Sequence, residues 1–543
     1  MTGATWKISK EIYSLKNKDQ LLKSLAKNRG LTTKSQLREF LNPSLSQITN
    51  TKLTDLKKGV DRIKEAIDNK EKIIVYSDYD ADGICATAIL WETLYDLGAK
   101  VLPYVPHRIK EGYGLSTEAI KKLAKDGVSL IVTVDHGVTA VRQVAEAQKV
   151  GIDVIVTDHH LLPEVLPKSY ALVHTVKLCG AGVAWRFAWE IISTLKPLYR
   201  EKLEEKLELA AIATIADLVP LIGANRAIVK LGLEKLAGTK RPGIKSLISQ
   251  SNINRKVGTY EIGHILAPRI NAMGRIEHGM DSLRLLCAKN QKKADELAKL
   301  LSKTNSRRQD LTTSAIVGAL EMVNSDHLIG VLAGSKWHEG IIGLVASRLV
   351  EAHHKPMIII SRKEVYSKGS ARSIPGFNIV EAIRSSSEYL VDAGGHPMAA
   401  GFTIETRHIE AFTRKINVYA ARNLTEEMLT PVIKIECILA KENITAQTLQ
   451  IIKTFEPFGM GNPQPIFLTR KIIVEDVRKV GAAGSHLKLL LDGHEAIWFN
   501  IGEKAAQIRP GYLIDAVYTL DENHYNGSTI TQMKIKDLEI VQS

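Results

Sequence analysis

KIIVYSDYDADG, residues 72–83, is the stretch that decides the fold. Its apolar, β-branched start is typical of a strand that is buried on both faces. Asp78, Asp80 and Asp82 follow, and in an extended segment side chains two residues apart project to the same side. The three carboxylates would then meet at the carboxyl end of the strand. Because such a concentration of negative charge is costly without a cation, the stretch predicts a metal site; an ordinary acidic turn is the alternative.

Two further apolar runs end in residues that bind metals. VSLIVTVDHG at 128–137 has Asp135 at its end, and VIVTDHH at 154–160 closes on an aspartate and two histidines. In an open parallel sheet, ligands collect beyond the carboxyl ends of the strands. The three strand endings therefore predict one metal-binding cleft.

Strand and helix patterns alternate from residue 71 to about residue 160. This alternation is typical of βαβ units and of a mostly parallel sheet, so it predicts an α/β fold. Strands are expected at 73–77, 101–104, 129–134 and 153–157, and helices near 84–96, 116–125 and 139–149.

Length and composition limit the class of protein. The 543 residues suggest about three or four domains, and 45% hydrophobic with 24% charged residues is typical of a globular protein. No apolar run approaches the length of a membrane span, and the first residues lack the apolar core of a signal peptide, so we expect a cytoplasmic protein. The net charge of +14 favours a polyanionic partner.

The four cysteines form no C-x-x-C pair, which argues against a zinc knuckle or a disulfide framework and favours buried thiols. They are Cys85, Cys179, Cys287 and Cys437.

The DADG, VDHG and DHH stretches resemble successive motifs of the DHH phosphoesterase superfamily, and ATIADLVPL at 213–221 is similar to its fourth motif, with Asp217. Later stretches narrow the resemblance to the RecJ family of 5′ to 3′ exonucleases specific for single-stranded DNA. The resemblance runs from about residue 50 to the C-terminus. The later stretches are APRINAMGR (267–275), WHEGIIGLVASRL (337–349), GSARSIPGFN (369–378), GGHPMAAGF (394–402) and PFGMGNPQP (457–465).

The resemblance implies a DHH domain with a mostly parallel sheet, a long connecting helix, a smaller α/β DHHA1 domain and a C-terminal β-barrel with an OB fold. Short strand patterns after residue 430 independently favour a small barrel. We expect an N-terminal packing segment at 1–50, the DHH domain at 51–290, the helix at 291–325, the DHHA1 domain at 326–425 and the OB fold at 430–543.

The resemblance also implies hydrolysis of phosphodiester bonds with two divalent metal ions, Mn²⁺ or Mg²⁺. Mixed oxygen and imidazole ligands favour manganese. Asp78 and Asp158 are further candidate ligands, although orienting a ligand suits them better. His160 and His396 are expected to assist at the phosphate. The expected ligands are Asp80, Asp82, Asp135 as the bridging carboxylate, His159 and Asp217.

Several residues are expected to bind the DNA strand. Arg108 in PHRIKEGYGL matches a family residue that meets the 5′ end, and Tyr113 can either stack on a base or pack. Ser370 and Arg372 would contact the terminal phosphate, in glycine-flanked stretches at 369–373 and 394–396 that suit turns around an anion. His338 lacks the H-E-x-x-H spacing and receives no catalytic role. Arg269, Asn271 and Arg275 fall in a loop-like stretch and suit phosphate contacts, although one of them can instead form a structural salt bridge.

The expected barrel offers Lys479, Lys488 and Trp498 to a single strand, although Trp498 can instead belong to the barrel core. The strand is expected to run between two lobes that exclude a duplex, with its 5′ end stopped by Arg108, Ser370 and Arg372. The resemblance implies release of 5′-mononucleotides, a role in DNA recombination and repair, and a single-strand-binding protein and a helicase as partners. We expect a monomer.

The sequence departs from the family pattern in two places. His136 stands where many relatives have Asn or Cys, and the stretch after His160 is shorter than expected. Two alternatives stay open: a DHH phosphodiesterase of short oligonucleotides or cyclic dinucleotides, and a non-catalytic single-strand-binding scaffold.

Overall fold

The structure, a computed structural model, describes residues 3–9, 18–108, 110–324, 326–481, 484–501, 507–525 and 528–542. The chain divides into two compact units. The parallel-sheet unit comprises Thr33–Arg307 and Phe455–Pro463, and the barrel unit comprises Met1–Thr32, Arg308–Thr454 and Gln464–Ser543.

The strands are β1 (Thr5–Ile8), β2 (Lys72–Tyr76), β3 (Lys100–Tyr104), β4 (Val128–Val134), β5 (Asp153–Asp158), β6 (Ala171–His174), β7 (Gly330–Gly334), β8 (Met357–Ser361), β9 (Tyr366–Arg372), β10 (Leu390–His396), β11 (Ala399–Glu405), β12 (Val432–Ile435), β13 (Cys437–Ile438), β14 (Phe467–Val480), β15 (His486–Leu491), β16 (His494–Trp498), β17 (Leu513–Tyr525) and β18 (Ser528–Gln542).

The helices are α1 (Lys18–Asn28), α2 (Lys34–Leu41), α3 (Leu45–Thr49), α4 (Leu56–Asp68), α5 (Ala81–Asp96), α6 (Thr117–Lys125), α7 (Val141–Lys149), α8 (Gly180–Leu195), α9 (Arg200–Glu205), α10 (Leu207–Ala216), α11 (Gly223–Ala237), α12 (Pro242–Gln250), α13 (Thr259–Glu261), α14 (Ala267–Ile276), α15 (Met280–Leu286), α16 (Gln291–Leu320), α17 (Ile342–His353), α18 (Ile379–Arg384), α19 (Ile409–Asn423), α20 (Glu426–Leu429) and α21 (Ala446–Thr454).

A five-stranded parallel sheet forms the centre of the parallel-sheet unit, in the order β3-β2-β4-β5-β6. Strand β2 is buried on both faces, as predicted: Ile73 and Val75 enter one hydrophobic core and Ile74 and Tyr76 enter another. Because all five strands are parallel, their carboxyl ends lie at one edge of the sheet. The predicted mostly parallel sheet is confirmed.

Two local predictions for this unit were wrong. The chain does not stay extended after β2, since helix α5 begins at Ala81 with Asp80 as its N-cap. The stretch 267–275 is helix α14 rather than a loop. It continues directly from a π-helical turn at Ile262–Leu266, and its proline lies at this junction.

In the described part of the barrel unit, a two-stranded parallel sheet of β1 and β12 accompanies two larger sheets of different architecture. Strands β10-β11-β9-β8-β7 form a mixed sheet, and β14-β15-β16-β18-β17 close into a barrel through the pairing of β14 with β17. Three barrel strands, β14, β17 and β18, are 13 to 15 residues long. The glycine-flanked stretches at 369–373 and 394–396 lie largely in β9 and β10, so the prediction of turns there was wrong.

The long helix α16 connects the parallel-sheet unit to the barrel unit in the sequence, in agreement with the predicted connecting helix. The N-terminal 50 residues divide between the units at residue 32. Among the helices that the structure describes, none combines the length and the apolar composition that crossing a bilayer requires. All four cysteines are free thiols, and Cys85, Cys179 and Cys437 are buried.

Candidate metal centre

Carboxylates and imidazoles meet at the carboxyl edge of the parallel sheet. They form three overlapping groups, and within each group the ligand atoms lie within 4.8 Å of one another. The groups contain every predicted metal ligand and also Asp78, one of the two further candidates. They are Asp135 with His159 and His160, Asp82 with His159 and Asp217, and Asp78 with Asp80 and Asp135.

His159 is the residue that faces most of the carboxylates. Its Nε2 atom lies 3.1 Å from Oδ1 of Asp135, 3.6 Å from Oδ2 of Asp217 and 3.8 Å from Oδ2 of Asp82. These aspartates come from the end of β4, the end of α10 and the first turn of α5. One imidazole nitrogen and three carboxylates from separate elements therefore surround a common point.

Asp80 and Asp82 are fixed by backbone N–H groups. Asp80 caps α5 by accepting hydrogen bonds from the N–H groups of Asp82 and Gly83, both at 3.0 Å. Asp82 accepts from Gly180 at 2.7 Å and from Ala181 at 2.6 Å, at the N-terminus of α8. The positive end of that helix dipole favours an anion. Both bonds to Asp80 go to its Oδ1 atom, which leaves Oδ2 for a cation, and each oxygen of Asp82 accepts one of these bonds and retains a lone pair.

Gly83, the last residue of DADG, and Gly180, the first residue of α8, let the backbone approach the aspartates closely. A Cβ atom on Gly83 would lie 2.7 Å from Cβ of Asp78, and one on Gly180 would lie 2.5 Å from Oδ1 of Asp135. Real Cβ atoms do not approach so closely, so both positions require glycine.

Asp135 has a backbone conformation that the sequence did not reveal. Its φ is +66°, in the left-handed region, and its side chain is buried. Oδ1 accepts no hydrogen bond among the described residues, although His159 lies near. A buried oxygen without a donor is costly unless a further group binds it. A strained, buried carboxylate of this kind is typical of a functional site.

Asp158 engages the protein instead of facing the shared point. It accepts hydrogen bonds from the backbone N–H groups of Val138 at 3.0 Å and His159 at 2.7 Å. Its Oδ1 lies 2.7 Å from Nδ1 of His160. Burial acts against ionisation, but the hydrogen bond and charge of His160 hold the pKa of Asp158 well below its usual range. Burial lowers the pKa of the His160 imidazole, but the hydrogen bond and the charge of Asp158 outweigh burial and raise this pKa to about 9.

The carboxylates around the shared point resist ionisation. Burial, followed by the charge of neighbouring aspartates, raises the pKa of Asp82 to about 7 and that of Asp217 to about 8. Burial and the same neighbours raise the pKa of Asp78 and of Asp135 well above the usual range. A cation would relieve this repulsion, and oxygen donors with one imidazole suit Mn²⁺ or Mg²⁺. The residues therefore fit divalent metal ions.

The predicted DNA-binding residues of this unit lie beside the carboxylates. The Arg108 guanidinium lies 4.9 Å from the centre of the Tyr79 ring, and its charge lowers the pKa of Asp78 against the larger effect of burial. Tyr113 is half exposed, and its hydroxyl lies 3.4 Å from the carbonyl oxygen of Asp135. Asn271 accepts a hydrogen bond from the N–H of Ala81 at 2.6 Å, so it holds the start of α5.

Arg269 and Arg275 share helix α14 with Asn271 and are half-buried. Arg269 Nη1 donates to the carbonyl oxygen of Ile265 at 2.7 Å.

In the barrel unit, Ser370, Arg372 and His396 lie on neighbouring strands. Ala399 of β11 pairs with Arg372 of β9 on one side and with His396 of β10 on the other. Paired residues project to the same face, so Arg372 and His396 flank Ala399. Arg372 Nη1 donates to Oγ of Ser370 at 3.3 Å. Three polar groups therefore lie on one small patch of this sheet.

The barrel residues differ in what they can offer to a strand. Trp498 is buried in the barrel core, which is the alternative considered from the sequence. Lys488 pairs with Glu495 at 3.1 Å, whereas Lys479 is exposed. His136 is buried, its Nε2 lies 3.1 Å from the carbonyl oxygen of Tyr76, and it belongs to none of the metal-ligand groups found among the described residues.

Three family models match the chain. They are the DHH family N-terminal domain at residues 72–219, the DHHA1 domain at 324–422 and the RecJ OB domain at 435–537. The chain is 38% identical over 540 residues to the single-stranded-DNA-specific exonuclease RecJ of Bacillus subtilis strain 168. That match covers 96% of this chain and 68% of the relative.

Two solved structures of RecJ from Thermus thermophilus share the fold. The complex with Mn²⁺ matches with a TM-score of 0.86 at 30% identity, covering 99% of this chain and 80% of that chain. The complex with Mg²⁺ matches with a TM-score of 0.79 at 29% identity, covering 99% and 79%. The predicted combination of DHH, DHHA1 and OB folds is confirmed.

Proposed function

This chain belongs to the RecJ family of single-stranded-DNA-specific exonucleases, and on that premise we propose that it degrades single strands from the 5′ end and releases 5′-mononucleotides. It is a metal-dependent nuclease that uses Mn²⁺ or Mg²⁺. The observation that carries the proposal is the convergence of His159 with Asp82, Asp135 and Asp217 at one point.

We propose that two ions are held by Asp80, Asp82, Asp135, His159 and Asp217, with Asp135 between them. When bound, such ions lower the pKa of a water molecule and stabilise charge on the attacking and leaving oxygens. The amides of Gly180 and Ala181 hold Asp82 in place for this task. The carboxylate of Asp78 accepts from the N–H of Tyr79 at 2.7 Å, which suits a supporting role.

His160 is proposed to act at the phosphate. Asp158 engages its Nδ1 atom at 2.7 Å, which fixes the orientation of the ring that would face the phosphate. A donor that is already oriented stabilises developing negative charge without reorganisation during the reaction. Asp158 is therefore a positioning residue in this proposal.

Each unit supplies its own groups for the DNA strand. In the parallel-sheet unit we propose Arg108, Tyr113, Arg269 and Arg275, which place cations and an aromatic ring near the carboxylates. In the barrel unit we propose Ser370, Arg372 and His396 for phosphate, and the exposed Lys479 for the backbone of the strand. Asn271 is also proposed for a phosphate contact, and its Oδ1 atom in addition holds the start of α5.

Further features of the biology are proposals from the family. They include a role in recombination and repair, a single-strand-binding protein and a helicase as partners, a monomeric state and a cytoplasmic location. The domain boundaries at 51–290, 291–325, 326–425 and 430–543 likewise stay predictions.

The direction of degradation can be tested with two labels. Incubation in Mn²⁺ of a 5′-phosphorylated strand carrying either a 5′ or a 3′ label should release the 5′ label at once as a mononucleotide and shorten the 3′-labelled strand stepwise. A blunt duplex should survive, and His159→Ala should be inactive on every substrate. Immediate release of the 3′ label, or faster cleavage of a cyclic dinucleotide than of the strand, would overturn the proposed polarity or substrate. Tight binding without hydrolysis would favour the scaffold alternative.

A further inference from the structure

The segment 455–463 has a place in the fold that the metal ligands do not explain. In sequence it connects α21 to β14 of the barrel unit, yet it belongs to the parallel-sheet unit. There it contacts the turn 218–222, which directly follows Asp217. The motif PFGMGNPQP, prominent in the sequence, lies largely in this segment.

Backbone atoms make the contact with the turn. The N–H of Leu221 donates to the carbonyl oxygen of Met460 at 2.7 Å. Gly461 has a φ of +71°, and a Cβ atom on it would lie 2.9 Å from Cβ of Pro220. The two backbones therefore pack without space for an additional side chain at Gly461.

Arg226 fixes the position of the segment from α11. Its buried guanidinium donates to the carbonyl oxygens of Glu456 at 2.7 Å and Pro457 at 3.2 Å. Its Nε donates to the carbonyl oxygen of Phe40 at 2.7 Å. A buried charge is costly unless its donors are satisfied, so this network strongly favours one position of the segment.

Asn462 adds two hydrogen bonds inside the segment. Its buried Nδ2 donates to the carbonyl oxygens of Phe455 and Pro457, both at 2.9 Å. Removing this amide would leave both carbonyl oxygens without that donor.

The turn that the segment contacts has a strained backbone. Leu218 has a φ of +58°, a backbone conformation that residues other than glycine rarely adopt. Asn225 donates to the carbonyl oxygen of Pro220 at 3.2 Å, and Met460 accepts from Leu221, so the turn is held from two sides. The carboxylate of Asp217, one residue before Leu218, lies 3.6 Å from Nε2 of His159.

We propose that the segment 455–463, fixed by Arg226 and Asn462, positions the carboxylate of Asp217 for metal binding through its contact with the turn 218–222. The inference rests on the proposed function, because Asp217 is one of the proposed ligands. Arg226, Gly461 and Asn462 are positioning residues that act through the turn.

Titration calorimetry of the full chain with Mn²⁺ tests this proposal in Gly461→Ala. The added Cβ should push the segment away from Pro220 and weaken Mn²⁺ binding by about 10- to 100-fold, as the loss of a supporting contact at a metal site typically does. The Mn²⁺ concentration for half-maximal cleavage should rise in parallel, while kcat recovers at saturating Mn²⁺. Gly493→Ala is the matched control, since Gly493 has a φ of +77° and open space at its Cβ position. It should bind Mn²⁺ as the wild type does.

A double variant separates this inference from the ligand proposal. Asp217→Asn should weaken Mn²⁺ binding, and adding Gly461→Ala should cause little further loss, because both changes act on one carboxylate. Wild-type affinity in Gly461→Ala, or losses that multiply in the double variant, would overturn the positioning role alone. Unchanged binding in Asp217→Asn would overturn the ligand assignment and the inference with it. If Gly461→Ala does not fold, Asn462→Ala serves with the same outcomes.

Discussion

Nε2 of His159 lies 3.1 Å from Oδ1 of Asp135, a buried carboxylate oxygen to which none of the described residues donates a hydrogen bond. The two residues directly follow neighbouring parallel strands, β4 and β5. Their contact joins the second and third motifs of the sequence at one point. The predictions below test what surrounds that point.

Gly180→Ala should disable the metal centre without altering a ligand. The new Cβ would lie 2.5 Å from Oδ1 of Asp135, so the carboxylate or α8 must move. A displacement near 1 Å costs on the order of 100-fold in rate, and we expect that loss in exonuclease assays. Gly318→Ala is the control, because Gly318 lies in α16 with open space around it. It should keep full activity and gain about 0.5–1 kcal/mol of stability.

Asp158→Asn should separate positioning from metal binding. The variant loses the carboxylate that holds His160 at 2.7 Å, so kcat should fall about 10- to 100-fold. Mn²⁺ affinity, measured by calorimetry, should change less than threefold, since Asp158 directs both oxygens to protein donors. Loss of Mn²⁺ binding would instead identify Asp158 as a ligand.

Arg372→Ala should weaken recognition of the 5′ phosphate. Charge-assisted hydrogen bonds are worth about 1.5–3 kcal/mol, so the preference for 5′-phosphorylated over 5′-hydroxyl strands should fall by about 10-fold or more. Competition between the two labelled strands measures this ratio. Arg348→Ala, which removes an exposed arginine of the same unit, should leave the ratio unchanged. A wild-type ratio in Arg372→Ala would remove this residue from end recognition.

The stability of the fold should depend on pH through Glu92, away from the metal centre. Burial opposes its ionisation, but Arg241, which contacts both carboxylate oxygens at 2.7 and 2.8 Å, lowers the pKa of Glu92 from 4.5 to about 2. At pH values between the two pKa values, the unfolded chain binds more protons at Glu92 than the folded chain does. The stabilisation of the fold by ionised Glu92 is therefore present above pH 4.5 and is lost as the pH falls towards 2.

Glu92→Gln should therefore lower the free energy of unfolding on the order of 3 kcal/mol at pH 7, and by progressively less at lower pH. Denaturant unfolding at pH 7, 5 and 3.5 measures the difference from the wild type. Glu351→Gln, at an exposed ion pair with Arg348, should have little effect at any of these pH values. A difference that grows as the pH falls would contradict the assigned role of Arg241.

The sequence predicted the strands and the meeting of the residues at their carboxyl ends. This was possible because a parallel sheet brings these ends to one edge, whatever the conformation of the loops. The sequence did not predict how the chain leaves β2. Asp80 is a residue type typical of a helix N-cap, so the local sequence contained a signal for the start of α5, whereas the hydrogen bond from Ala81 to Asn271, 190 residues away, could not be read from local patterns. Two further features became visible only in the tertiary structure. The backbone of Asp135 has a left-handed conformation, and the segment 455–463 contacts the turn that follows Asp217.

Asp135→Asn tests the central claim most directly, with Mn²⁺ calorimetry and digestion of a 5′-phosphorylated single strand made on the same preparation. Asp153→Asn is the control, because Asp153 lies at the opposite end of the same sheet and pairs with Arg62. We predict that Asp135→Asn folds, binds Mn²⁺ at least 10-fold more weakly and loses nearly all cleavage, as removal of a metal ligand requires, while the control cleaves normally. Folded Asp135→Asn that binds Mn²⁺ and degrades the strand like the wild type would contradict the account.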